Sequence, residues 1–341
     1  MRAIALTRAT IATGDKLKRM RVLDFQHHFV PRELVERRGA GGKRYDLPEG
    51  GMKKVTLHQK LYDPEEQLRD MDEAGLDMAI LSCIIGWDAP LEDCRLINDS
   101  FAALQRRYPD RFVGLAHLPL LIDPHALDEL DRAIGELGLR GATITSQVNG
   151  LPLDSPQLRE FYARVVELGI PVFVHPSMPP RGYEWIKEYD LSRIVGRELD
   201  LILAVSRLIA AGVLDRFPDL KLVIAHFGGG IAAIKERISA KAYRFGTQLK
   251  QTFDDYFDLL YFDMSGFEGG PNALRCALTG IRPERLVFAT DYPQDFTGAT
   301  TDTGKGARDI RKYIEEIRGL PLPEETKAGM LGRTAMELLC L

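Results

Sequence analysis

Four apolar runs of this chain end in side chains that can donate nitrogen or oxygen to a cation. Leu23-Asp24-Phe25 runs into Gln26-His27-His28, Val172-Phe173-Val174 into His175, Leu222-Val223-Ile224-Ala225 into His226, and Ala289-Thr290 into Asp291. Burying a polar group without a partner costs free energy, so such groups take a hydrogen bond or a metal. Histidine and aspartate suit zinc or a related divalent ion. Gln26 and His28 stand at i and i+2, on one side of a strand, and His27 points to the other. A single histidine at a strand end is more often a satisfied structural residue than a ligand. Four polar strand ends together argue for a shared site. His58, His117 and His125 have no such support and read as structural.

The elements that must position these residues follow from the periodicity. Eight short strands are expected: Val22–Phe25, Met78–Cys83, Val113–Leu118, Ala142–Ser146, Pro171–His175, Lys221–His226, Leu260–Met264 and Leu286–Thr290. Helical patterns lie between them: Pro64–Ala74, Leu96–Arg107, Ala126–Leu137, Gln157–Leu168, Leu199–Ala211 and Ala273–Leu278. Alternation of this kind predicts βαβ units and a parallel sheet covered on both faces. Eight units fit a distorted (β/α)8 TIM barrel better than an open sheet. In a barrel the strand ends converge, so residues distant in sequence share one ion. Gly75, Gly138 and Gly169 sit where left-handed caps would end helices, and Asp63-Pro64-Glu65 reads as a helix start.

Three segments exceed a minimal barrel: 39–59, 177–196 and 293–306. All follow strands, which places them as insertions at the C-terminal mouth, where barrel enzymes bind substrate. The expected organisation is a flexible N-terminal arm over 1–20 and a single barrel domain over 21–341, with an insertion at about 39–60.

Composition narrows the partners. The 341 residues are 45% hydrophobic and 28% charged with a net charge of −4, which argues against a nucleic-acid or anionic-membrane surface. No apolar run approaches the roughly 18 residues of a membrane span. Four cysteines, Cys83, Cys94, Cys276 and Cys340, lack any CxxC pairing, as expected of reduced thiols in a cytoplasmic protein. The basic N-terminal segment has no apolar centre and does not read as a secretory signal.

Longer segments carry a resemblance. Asp24-Phe25-Gln26-His27-His28-Phe29-Val30-Pro31, Arg111-Phe112-Val113-Gly114-Leu115, Val172-Phe173-Val174-His175-Pro176, Ala225-His226-Phe227-Gly228-Gly229-Gly230 and Ala289-Thr290-Asp291-Tyr292-Pro293 resemble the amidohydrolase-related superfamily. The branch is that of the aminocarboxymuconate-semialdehyde and γ-resorcylate-type decarboxylases. The resemblance runs from about Val22 to Leu339. It implies one divalent metal held by the first-strand H-x-H pair, His175 and Asp291. His226 would be an unligated catalytic histidine, and Asp291 would both bind metal and move a proton.

Two departures stand out. Gln26 replaces the first family histidine and offers only a neutral amide oxygen. A site of His28, His175 and Asp291 with an optional Gln26 oxygen suits zinc or the more oxygen-tolerant manganese. The family's arginine anchor before Asp63-Pro64 is absent, with His58 roughly in its place, and Arg193 or Lys60 would have to substitute. Trp185, Tyr183, Phe267 and Tyr292 lie on mouth-side segments and could stack on a ring.

The expected activity is metal-dependent, non-oxidative decarboxylation of an aromatic or conjugated carboxylic acid, in a homodimer or homotetramer. The competing readings are a hydrolase or hydratase acting on a lactone or alkene, and a degenerate non-catalytic homologue.

Overall fold

In the computed structural model of the protein, which describes residues 20–37, 46–49, 52–57, 59–177, 179–265, 271–293 and 303–341, eight short strands form the frame. They are β1 (Leu23–His28), β2 (Met78–Ser82), β3 (Phe112–Gly114), β4 (Ala142–Thr145), β5 (Val172–His175), β6 (Leu222–Ile224), β7 (Tyr261–Asp263) and β8 (Leu286–Val287). All but the first residue of β7 are buried, as expected of strands covered by helices on the outside. Every pairing among them is parallel.

The ladder runs as two sheets, β1-β2-β3 and β4-β5-β6-β7-β8, so the barrel is distorted and, among the described residues, no continuous ladder crosses either seam. Isolated bridges span both seams: Ala116 with Ala142, and His27 with Tyr292. At the second seam the Phe25 N–H donates to the Phe288 carbonyl at 2.9 Å and the His28 N–H to the Tyr292 carbonyl at 2.8 Å, and side chains add to them. Asp24 accepts the Thr290 N–H at 2.9 Å and the Thr290 hydroxyl at 2.5 Å, which fixes the segment leading to Asp291 against β1.

β1 carries one residue more than β2 between Asp24 and His27, a β-bulge. Phe25 meets Phe173 of the non-neighbouring strand β5, with ring centroids 5.9 Å apart, and His28 meets His175 of the same strand at 5.4 Å. Strict alternation would send Phe25 and His28 to opposite faces. The bulge brings both inside, which is how bulges beside active sites re-aim side chains.

The connecting helices largely follow the expected pattern. Pro64–Ala74 starts at Asp63, whose carboxylate accepts the Glu66 N–H, and stops at Gly75 in the left-handed conformation (φ 85°). Arg197–Ala210 begins two residues before its apolar pattern predicts and brings Glu198 into its first turn. Within the 39–60 insertion, Asp46–Glu49 and Met52–Thr56 pair as an antiparallel hairpin. Residues 1–19, His58, Phe267 and most of the 293–306 segment lie outside the described residues.

Candidate metal centre

His28, His175 and Asp291 converge. Each offers one ligand atom, these atoms lie within 4.8 Å of one another, and all three residues are buried. His28 Nε2 lies 2.5 Å from Asp291 Oδ1. His175 donates its Nδ1–H to the Pro176 carbonyl at 2.8 Å; a carbonyl only accepts, so the lone pair of the neutral ring is left on Nε2. Burial, with His28 and His226 adding to it, pushes the His175 pKa well below the usual histidine value. That keeps the ring neutral, the form that ligates. Ser82 Oγ lies 3.0 Å from His28 Nδ1 and fixes that ring in turn. Two imidazoles and one carboxylate, each oriented from behind, fit a divalent ion such as zinc or manganese.

Gln26 stands behind this set. Its Nε2 donates to Asp291 Oδ1 at 2.7 Å and its Oε1 accepts from Ser265 Oγ at 2.8 Å. With the amide in this orientation Gln26 braces Asp291, and its oxygen is engaged by Ser265. Ser265 also contacts the buried Asp263, whose Oδ1 accepts the His226 N–H at 2.8 Å. Burial raises the Asp263 pKa to about 6, although its hydrogen bonds and His226 pull it down.

His226 lies outside this cluster of three. Its Nε2 is 3.8 Å from Asp291 Oδ2 and, among the described residues, has no hydrogen-bond partner. Its Nδ1 is 2.8 Å from Glu198, in the first turn of the Arg197–Ala210 helix. Burial alone would lower the His226 pKa; the charge and hydrogen bond of Glu198 outweigh that and raise it to about 9. The glycines after His226 make this contact attainable. A Cβ on Gly229 (φ 70°) would sit 2.0 Å from the Glu198 carbonyl oxygen, so only glycine lets the turn approach the helix this closely. His226 and Asp291 both hold positive φ, 53° and 57°, conformations that cost a non-glycine residue free energy and cluster at functional sites.

The residues expected to bind substrate are placed elsewhere. Trp185 is 93% exposed. Arg193 forms an ion pair with Asp190 at 2.5 Å. Tyr292 is buried, stacks on His27 at 4.6 Å and donates its hydroxyl to Asp70 at 2.5 Å. Lys60 is buried and paired with that same Asp70. None of the four lines the cavity beside His175. That cavity is walled by Trp87, which stacks on His175 with ring centroids 4.0 Å apart. Sequence reasoning missed Trp87 and Glu198: neither sits at a strand end, and no spacing rule links either to a histidine.

The chain belongs to the amidohydrolase family (Amidohydro_2), whose model matches residues 23–341. It is 28% identical over 343 residues to the 2-amino-3-carboxymuconate-6-semialdehyde decarboxylase of Dictyostelium discoideum, covering 94% of this chain and 91% of that one. Its structure is similar to that of 5-carboxyvanillate decarboxylase from Sphingomonas paucimobilis, with a TM-score of 0.77 and 25% identity over 94% of this chain and 99% of that one. It is also similar to the dihydroxybenzoic acid decarboxylase of Polaromonas sp. JS666, solved with manganese and 2-nitroresorcinol. That match has a TM-score of 0.73 and 25% identity over 94% and 97% of the two chains. The expected family and fold are thus found.

Proposed function

We propose that this protein is a metal-dependent, non-oxidative decarboxylase of an aromatic carboxylic acid. The observation that carries the reading is the pairing of a His28–His175–Asp291 donor set with a buried His226. The latter is held at Nδ1 by Glu198 and turns toward Asp291 an Nε2 that has no hydrogen-bond partner among the described residues. The relatives named as decarboxylases of a conjugated and of an aromatic carboxylic acid support the same reading.

His28, His175 and Asp291 would hold one divalent cation, manganese or zinc, with Gln26 bracing Asp291. When bound, the cation would supply positive charge that neutralises the acid's carboxylate and favours the ionised form of an adjacent hydroxyl, which makes the ring carbon more basic. Trp87 forms an aromatic wall against which a ring lies flat. Glu198 keeps the His226 proton on Nδ1 when the ring is neutral, so Nε2 is the atom that exchanges protons with substrate. From Nε2, His226 delivers a proton to the ring carbon bearing the carboxylate. The bond to the carboxylate then breaks, its electron pair returns to the ring, and carbon dioxide leaves. Solvent restores the proton on His226. Acid catalysis of this kind contributes typically about 10²–10⁴-fold.

Incubating the manganese-loaded protein with hydroxybenzoates and muconate-type acids should release carbon dioxide. Silence across that panel would end the reading. Solvent ¹⁸O entering a product without carbon dioxide release would put hydrolysis or hydration in its place.

We further infer a single-domain enzyme of the cytoplasm. Its four free cysteines support that compartment, and among the described residues no helix is long and apolar enough to cross a membrane. The exposed Leu199 and Leu203, one helical turn apart, offer a face for the self-association the resemblance implies.

A further inference from the structure

β7 ends in a carboxylate that the proposed reaction leaves without a role. Asp263 is buried, and the pairing of Ile224 with Phe262 sets it beside the segment that carries His226. Its two oxygens have different surroundings. Oδ1 accepts the His226 N–H at 2.8 Å and the Ser265 N–H at 3.1 Å, and lies 2.8 Å from the Ser265 hydroxyl. Oδ2 has no hydrogen-bond partner among the described residues. A buried oxygen without a partner costs free energy. The contacts at Oδ1 must therefore offset what Oδ2 loses.

Two lines of contact leave Oδ1. The first is direct. His226 stands two residues beyond β6, at a φ of 53° that a non-glycine residue holds only when its surroundings fix it. Past the end of the ladder, Asp263 takes its N–H. The second line runs through Ser265, whose one hydroxyl hydrogen is shared between Asp263 Oδ1 and Gln26 Oε1, each 2.8 Å away. Gln26 in turn donates to Asp291 Oδ1 at 2.7 Å. Every side chain along both lines is buried, where hydrogen bonds are electrostatically stronger than in water.

We propose that Asp263 is a positioning residue whose Oδ1 holds the backbone of His226 directly and the carboxylate of Asp291 through Ser265 and Gln26. The inference rests on the reading of His226 as proton donor and Asp291 as metal ligand. Both lines end on one atom, so donor and ligand are referred to a common point. The role requires an accepting oxygen and no charge. Asp263→Asn keeps that oxygen, whereas Asp263→Ala removes it.

The test reads each line separately and needs no turnover. Ser265→Ala should weaken manganese binding, titrated by EPR, by about three- to tenfold, the worth of one neutral hydrogen bond. In a Gln26→Ala background the same change should cost nothing further, because the line is already cut. The probe for the other line is the buried His226 Nδ1 proton bound to Glu198, read as a slowly exchanging downfield NMR resonance in metal-stripped protein. It should persist in Ser265→Ala, vanish in Asp263→Ala and return in Asp263→Asn. Additive losses from Ser265→Ala and Gln26→Ala overturn the proposal. A resonance that survives Asp263→Ala, or that Asp263→Asn does not restore, overturns it as well. If Asp263→Ala does not fold, the Ser265–Gln26 pair and Asp263→Asn still decide the matter. If no acid is decarboxylated while both lines respond as stated, the proposed reaction falls and the positioning role stands.

Discussion

Glu198 and His226, 28 residues apart in sequence, meet through a 2.8 Å hydrogen bond to the ring nitrogen remote from Asp291. This bond fixes which His226 nitrogen faces Asp291. Glu198→Gln keeps an acceptor for the Nδ1 proton but removes the charge. In metal-stripped protein the His226 pKa should then fall from about 9 to below the ordinary 6.5, as burial prevails. Titration of the ¹⁵N-labelled imidazole by NMR reads this directly. An unmoved pKa would show that Glu198 does not set it.

Stability of the metal-stripped protein should carry the same signature. A histidine whose folded pKa is raised contributes stability that is fully present below its unfolded pKa. That contribution is lost as pH rises through the folded value. The window is therefore about pH 6.5 to 9, and the loss should be a few kcal/mol in the parent and absent in Glu198→Gln. Urea denaturation across that range checks it. Asp263, raised to about 6, acts at lower pH: its charged form is disfavoured by the fold, so it erodes stability as pH climbs from about 4 to 6.

His226→Ala should leave bound metal within about twofold of the parent by elemental analysis. Its kcat should fall by about 10²–10⁴. Loss of the metal in this variant would make His226 a ligand and not a proton donor.

Ser82→Ala and Gln26→Ala remove supports behind the ligands, Ser82 behind His28 and Gln26 behind Asp291. Each should weaken manganese binding by about 10–100-fold, the usual range for such partners, without abolishing it. Titration followed by manganese EPR measures both. His175→Ala should abolish binding, together with the rise in Tm that added metal gives the parent.

Gly229→Ala must clash with the Glu198 carbonyl and holds a conformation costing a non-glycine residue about 1–3 kcal/mol by itself. A drop in stability of at least that size is expected by thermal denaturation. Trp185→Ala, by contrast, should leave kcat/KM within about twofold, because the ring stands in solvent.

The barrel was legible because its strands are short apolar runs ended by polar residues, and burial on both faces writes that pattern into the sequence. The convergence of His28, His175 and Asp291 was legible for the same reason: each follows such a run. The β1 bulge was not, since an added residue leaves no trace in composition and shows only against the register of β2. Glu198 sits in an amphipathic helix, where an acid in the first turn looks like ordinary helix chemistry. Only the close approach at Gly229 reveals its target. The directions of Trp185, out into solvent, and Tyr292, into the core, were not legible, because position near the mouth says nothing about the direction of a side chain.

One turn of helix serves two masters. Two residues after Glu198, the buried Asp200 accepts from Ser146 at 2.5 Å, from Gln147 at 2.6 Å and from Tyr183 at 2.9 Å, and Gln147 clamps the backbone of residue 181. The His226 ring and the backbone at residue 181 are therefore gauged from a single datum. A shift of that turn would move both together.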